Sequence, residues 1–376
     1  GVHRTPFFLF EDIERGGHVM DQTDLTGIFC ERPQNFAWFF GAGASRASGL
    51  PTATDIIWGL KCRYYCRQEN EEITRQEVQI EAVRKRIQDY MLSKGFPGEG
   101  APEEYATYFE KIFGTDKERQ RKYLRSILSE DKARLSVGNR VIGAFLAAGL
   151  SRAVFTTNFD SIVEKSVAEM SGKSMSAYHI EGAGSAMHAL NNEEFPIYCK
   201  LHGDFRYDSI KNLAGDLLTQ NRELAGCLKV ASGRFGFIVT GYSGRDASIM
   251  ALFKEALEGE NPFPHGFYWT GIKGSAVPAV VEELLELAHR KGVKAEYVAI
   301  ETFEAFMLRL WRNTSNKPQE LDHKVRKSQV ASVSIPLTDT GSGKPIMRLN
   351  ALPLVALPTT CYTLAFKSQM EWSDLK

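Results

Sequence analysis

The sequence of 376 residues has no surplus of charge of either sign: 46 Lys and Arg stand against 46 Asp and Glu. That balance leaves no basic footprint for nucleic acid or an anionic membrane surface, so neither is expected as a direct partner. No apolar run approaches the ~20 residues that span a bilayer. The amino terminus also lacks a charged-then-apolar leader pattern. Cysteine is sparse: Cys30, Cys62, Cys66, Cys199, Cys227 and Cys361 are scattered. In a chain of this size they read as reduced thiols of a cytoplasmic protein rather than a disulfide framework. Cys62 and Cys66 stand one helical turn apart, but no second Cys pair or Cys/His pair completes a tetrahedral set, so no metal is expected. Tandem repeats and low-complexity tracts are absent too. The chain opens on Gly1 without Met, as a piece of a longer protein would.

What is present is an ordinary globular composition, 43% hydrophobic and 24% charged, with strong punctuation. Residues 35–40 form a short apolar run that ends in Gly41-Ala42-Gly43-Ala44-Ser45, the pattern of a buried strand entering a tight turn. Residues 54–149 then take helical periodicity: 71–94 opens acidic and ends at Gly95, and further amphipathic stretches follow at 103–113, 117–128 and 137–148. From Arg152 strands and helices alternate. Apolar runs at 153–156, 195–200, 235–240, 266–270 and 293–300 are interleaved with helical patterns at 161–170, 222–231, 247–258, 277–290 and 303–311. Such alternation predicts an α/β fold, a Rossmann-like parallel sheet with helices on both faces. The polar stretch and short apolar segments beyond Trp311 suggest a small β-rich C-terminal appendage over 313–376.

In parallel sheets ligands bind beyond the carboxyl ends of the strands, so the residues after each strand are the ones to weigh. Glycines at 41 and 43 let backbone approach a pyrophosphate, though many glycine turns bind nothing. In Thr156-Thr157-Asn158-Phe159-Asp160, Asn158 or Asp160 equally fits the cap of the next helix. His202, in Lys200-Leu201-His202-Gly203-Asp204, sits where an imidazole would meet a ligand, and is also compatible with a packing role. Gly241-Tyr242-Ser243-Gly244-Arg245-Asp246 offers Ser243 to a phosphate or ribose. Alternatively Ser243 and Gly244 make the turn and Asp246 caps the next helix.

Taken in order, GAGASRASGLP, TTNFD, KLHGD and GYSGRD resemble the motif series of the Sir2 (sirtuin) superfamily across roughly residues 30–312. The resemblance implies a Sir2-like NAD-binding domain over 25–53 and 150–312, interrupted by a helical insertion at 54–149. It places the NAD pyrophosphate on Gly41, Ala42, Gly43 and Ser45, with Thr157, Gly241, Ser243 and, on a looser match, Thr270 as further cofactor contacts. It gives Asn158 the nicotinamide ribose and a water, Asp160 the nicotinamide carboxamide, and His202 the part of general base. A histidine of pKa about 6.5 suits that part at neutral pH. NAD would be substrate as much as cofactor.

Three departures from the deacetylating sirtuins stand out. The two Cys pairs of their structural zinc are missing. Pro51 is followed by Thr52-Ala53-Thr54 and not by Asp-Phe-Arg. The helical block replaces part of the small domain that forms one wall of their acyl-lysine tunnel. The combination is similar to zinc-less Sir2-like NADases of bacterial anti-phage defence. It implies NAD hydrolysis to nicotinamide and ADP-ribose under the control of a regulatory partner, a sensor domain or homo- or hetero-oligomer assembly. Two other functions fit the same NAD site: protein-lysine deacylation, and non-catalytic sensing of NAD or ADP-ribose.

Overall fold

The computed structural model describes residues 20–74, 77–101, 103–114, 116–128, 133–179, 183–202 and 222–326. Its centre is a strand, β1 (Phe36–Phe40), all five of whose residues are buried. Ala37 and Phe39 point into one hydrophobic core, while Phe36, Trp38 and Phe40 point into another on the opposite face. A strand covered on both faces reads as an unbroken apolar run instead of an alternating one, which is why this segment is legible in the sequence.

Five more strands join it: β2 (Ala153–Thr156), β3 (Ile197–Lys200), β4 (Gly236–Thr240), β5 (Phe267–Ile272) and β6 (Ala295–Ile300). Every pairing is parallel. The order is β3-β2-β1-β4-β5-β6, that of a doubly wound nucleotide-binding sheet, with the strand order reversing between β1 and β4.

Helices cover both faces, as expected. One layer holds α8 (Ala183–Asn191), α9 (Arg222–Ser232), α10 (Ala247–Ala256) and α11 (Ala279–Arg290). The other holds α1 (Gln22–Glu31), α6 (Val137–Ala147), α7 (Ile162–Ser171), α12 (Phe303–Asn313) and α13 (Gln319–Arg326). Between β1 and α6 lies the insertion: α2 (Ala53–Glu69), α3 (Glu81–Ser93), α4 (Glu104–Phe113) and α5 (Lys117–Ile127). These four enclose a core of their own around Trp58, Leu60, Ile87, Tyr108 and Phe109. That separate core ends before α6, which packs against α7 and α12 over the sheet.

The sequence pattern of one long helix over 71–94 resolves differently. Asn70, in the left-handed region at φ 53°, ends α2. The Glu77 carboxylate then accepts from the Thr74 backbone and hydroxyl, forming a side-chain-closed turn before α3 begins at Glu81. The first part of the presumed extension, 313–326, is bound to the sheet unit: the Trp311 indole donates to Asp322 at 2.9 Å and Lys324 donates to the Met170 carbonyl at 2.9 Å. The expected β-rich appendage otherwise falls at 327–376, outside the described residues. No helix among the described residues is long and apolar enough to cross a membrane.

Candidate active site

Because all six strands run the same way, the segments that follow them share one edge of the sheet. After β1, Gly41 leads into a 3-10 segment, Ala42–Ser48, in place of a regular helix. The turn lies against the one that follows β4. Gly41 N–H donates to the Thr240 carbonyl at 3.0 Å and Gly43 N–H to the Gly241 carbonyl at 2.9 Å. A Cβ at Gly43 would stand 2.8 Å from Gly241 Cα, and Gly241 itself has φ 68°. These glycines let the two loops touch backbone to backbone. Two of the N–H groups of this turn already have carbonyl partners.

Asn158 joins the next segment to that turn. Its amide donates to the Gly41 carbonyl at 3.1 Å and to Ser45 Oγ at 3.3 Å, and its own N–H is held by Thr156 Oγ1 at 3.0 Å. Thr156 in turn donates to the Phe40 carbonyl at 2.8 Å. Asn158 thus does not cap α7. The cap position is Ser161, which makes no side-chain cap bond, while Asp160 Oδ1, one residue earlier, accepts from Ile162 N–H at 3.0 Å. Thr157, half-buried, lies between Thr156 and Asn158, and its N–H reaches the Phe40 carbonyl at 3.4 Å.

Beneath this edge Lys200, the last residue of β3, is fully buried. Its ammonium donates to the Asp160 carbonyl at 2.5 Å and pairs with Glu164 of α7 at 2.9 Å. Sequence reasoning passed over Lys200, although a lysine closing an apolar strand is a detectable sign of a partnered charge.

His202 is 6% exposed, with its ring 6.4 Å from that of Phe159. Its Nε2 lies 2.7 Å from Oδ2 of Asp246, the residue that opens α10. The approach falls short of an aligned hydrogen bond. The other oxygen of Asp246 caps the helix, accepting from Ser248 N–H at 2.9 Å and Ser248 Oγ at 2.8 Å. Burial pushes the Asp246 carboxyl up, but the neighbouring His202 and Ser248 outweigh it and hold the group below the usual aspartate range. Tyr242 packs between Phe39 and Trp269. Burial, then the Asp246 charge, drives its phenol well above the usual value, only partly offset by the Asp246 backbone N–H.

The remaining candidates are spread along the same edge. Ser243 is exposed beside Gly244, whereas Thr270 is buried in β5 with its hydroxyl donating to the Val239 carbonyl at 3.1 Å. A cleft of about 430 Å³ lined by residues including Phe263, His265 and Tyr268 lies elsewhere, at the amino-terminal ends of β5 and β6. Cys62 and Cys66 lie 3.9 Å apart on α2; burial, then Cys66, pushes the Cys62 thiol up to about 11. Among the described residues no three His, Cys, Asp or Glu side chains gather as a metal set would.

No curated protein matches the chain. A solved structure from work on the structural basis for the mechanism and regulation of Sir2 enzymes is 15% identical, with 79% of this chain and 98% of that one covered, at a TM-score of 0.39. Residues 152–294, which carry Asn158, Asp160, His202, Gly241, Ser243 and Asp246, match the family model of the SIR2-like domain.

Proposed function

We propose that this chain hydrolyses NAD to nicotinamide and ADP-ribose. The observation that carries the reading is Asn158: one amide ties the TTNFD segment to Gly41 and Ser45 at the point where strand order reverses. A helix cap has no use for that bond, whereas a dinucleotide laid across the switch point needs both segments in register.

In this reading the pyrophosphate lies along Gly41, Ala42, Gly43 and Ser45, with Gly241 and exposed Ser243 on its far side and Thr157 and Thr270 at the margins. Asn158 holds the nicotinamide ribose and the attacking water, and Asp160 meets the carboxamide. The bond between C1′ and the pyridinium nitrogen breaks, and its electron pair neutralises the departing nicotinamide. Water adds to C1′, and His202 takes the proton that the water loses. As C1′ gains positive character, the amide oxygen of Asn158 supplies a fixed dipole nearby. The SIR2-like match over 152–294 supports NAD as the ligand. The missing cysteine pairs support water over an acyl-lysine as the acceptor, and zinc is not required. Unchecked NAD loss would be lethal to a host, so activity is held for a partner or an assembly step, as in anti-phage defence.

Mass spectrometry of NAD incubated with the full chain tests this, with and without the products of neighbouring genes and with and without an acetylated peptide. Nicotinamide and ADP-ribose without peptide are expected. Product only with peptide would make the chain a deacylase, and bound but intact NAD under every condition would make it a sensor.

A further inference from the structure

His202 follows β3 and Asp246 follows β4, and in the sheet those strands are separated by β2 and β1. Three strand spacings put their ends roughly 14 Å apart. Their side chains nevertheless meet at 2.7 Å, so the two segments converge over the ends of β1 and β2, where Asn158 and the glycine turn lie. Nε2 and Oδ2 are both shielded from solvent, and neither has another hydrogen-bond partner. A buried polar atom left alone carries a desolvation penalty, so each is the natural partner of the other.

The cap explains only half of Asp246. Capping α10 uses Oδ1, which receives Ser248 N–H, Ser248 Oγ and, at 3.4 Å, Ile249 N–H. Those bonds fix the plane of the carboxylate and leave Oδ2 aimed at the ring. An ionised carboxylate only accepts, so the ring nitrogen facing it carries the proton, and in a neutral imidazole the lone pair is then on the other nitrogen.

We propose that Asp246 is a positioning residue for His202, keeping the proton on Nε2 so that Nδ1 is the nitrogen that accepts a proton during the reaction. This rests on the NAD-cleaving reading of the site. Asp246 need not touch NAD; it sets which face of the imidazole is basic and holds the ring over the strand ends.

Asp246→Asn separates this from the helix-capping role, because Asn caps as well as Asp. Its amide N–H would now face Nε2, which would have to present a lone pair, moving the ring proton to Nδ1. On the full-length chain kcat should fall by about 10²- to 10⁴-fold, the usual cost of losing a general base. The KM for NAD and the melting temperature should stay close to wild type. Two-bond ¹H–¹⁵N spectra of histidine-labelled protein, assigned with His202→Ala, should show the Nε2-protonated pattern in the wild type and the Nδ1-protonated pattern in Asp246→Asn. An unchanged tautomer, or a folded Asp246→Asn with wild-type kcat, would overturn the proposal. The spectroscopic arm needs no turnover. If the wild type cleaved no NAD while the tautomer still switched, the functional reading would fall and the pairing would stand.

Discussion

Two buried pairs of a basic and an acidic side chain sit in different parts of this molecule and differ in how completely they are satisfied. In the helical insertion the Lys61 ammonium is 2.5 Å from Glu104 and 2.7 Å from Gln88 Oε1, with the rings of Trp58 and Tyr108 at 4.5 and 5.4 Å. The second oxygen of Glu104 accepts from Gly100 N–H at 2.9 Å. Both charges are provided for, although Gln88 Nε2 and the Tyr108 hydroxyl beside them have no partner. At the edge of the sheet, His202 and Asp246 approach to 2.7 Å without an aligned bond. Burying a charge is therefore not in itself a sign of function. What separates the second pair from the first is its place at the strand ends, where Nε2 and Oδ2 face each other without an aligned bond.

The contrast can be broken most forcefully at the edge. Asn158→Ala and His202→Ala should each slow NAD hydrolysis by about 10²- to 10⁴-fold while NAD still binds, because most cofactor contacts lie elsewhere. Calorimetry and product assays on the same preparations decide the matter. A fall in melting temperature with full activity per folded molecule would make both regions merely structural.

In the insertion the expectation is reversed. Lys61→Met strands Glu104 in a hydrophobic core and should destabilise the chain by about 3–5 kcal/mol, with turnover per folded molecule unchanged. Pairing it with Glu104→Leu should restore much of the loss, as read by denaturant unfolding. Failure of that recovery would mean that the ion pair does more than fill its core.

Gly43 lies between these extremes. Because its Cβ would meet Gly241 Cα at 2.8 Å, Gly43→Ala should cost about 1–3 kcal/mol through overpacking. The loss should appear in thermal unfolding without NAD present. A variant of native stability would show that the two loops separate easily.

The smallest effect is in acid. Asp246 is held below its usual value in the folded chain, so its contribution to stability is complete above the unfolded aspartate pKa of about 3.9 and is lost as pH falls through the lower folded value. Acid unfolding of the wild type should be steeper below about pH 4 than that of Asp246→Asn. Parallel curves would mean that the His202 contact adds nothing to the folded state.

Much of the fold is legible in the sequence because strands buried on both faces leave nearly continuous apolar runs, as β1 to β4 do, whereas β5 and β6 carry half-buried and exposed positions. The elements that are not legible, α1, α8 and α13, are short helices whose burial depends on tertiary neighbours; α13, for instance, presents only Leu321 and Val325 to the core. Of the site, the position of each candidate after a strand follows from the α/β alternation. The partnerships do not. Asp246 is indistinguishable from an ordinary helix cap until topology brings His202 to it across two intervening strands. Asn158, similarly, is a possible cap until its amide is seen on Gly41 and Ser45. The glycines were legible as residues that permit close approach, but not in what they approach.

That approach has a consequence for how the edge moves. With Gly41 and Gly43 bonded to the backbone of Thr240 and Gly241, the loops after β1 and β4 behave as one mechanical part. Amide exchange at Gly43 can proceed only when the loop after β4 lifts away, so a deuterium label there reports on both segments at once. The same contact leaves no room for a side chain at 41, 43 or 241, since a Cβ at any of them would meet backbone of the facing loop.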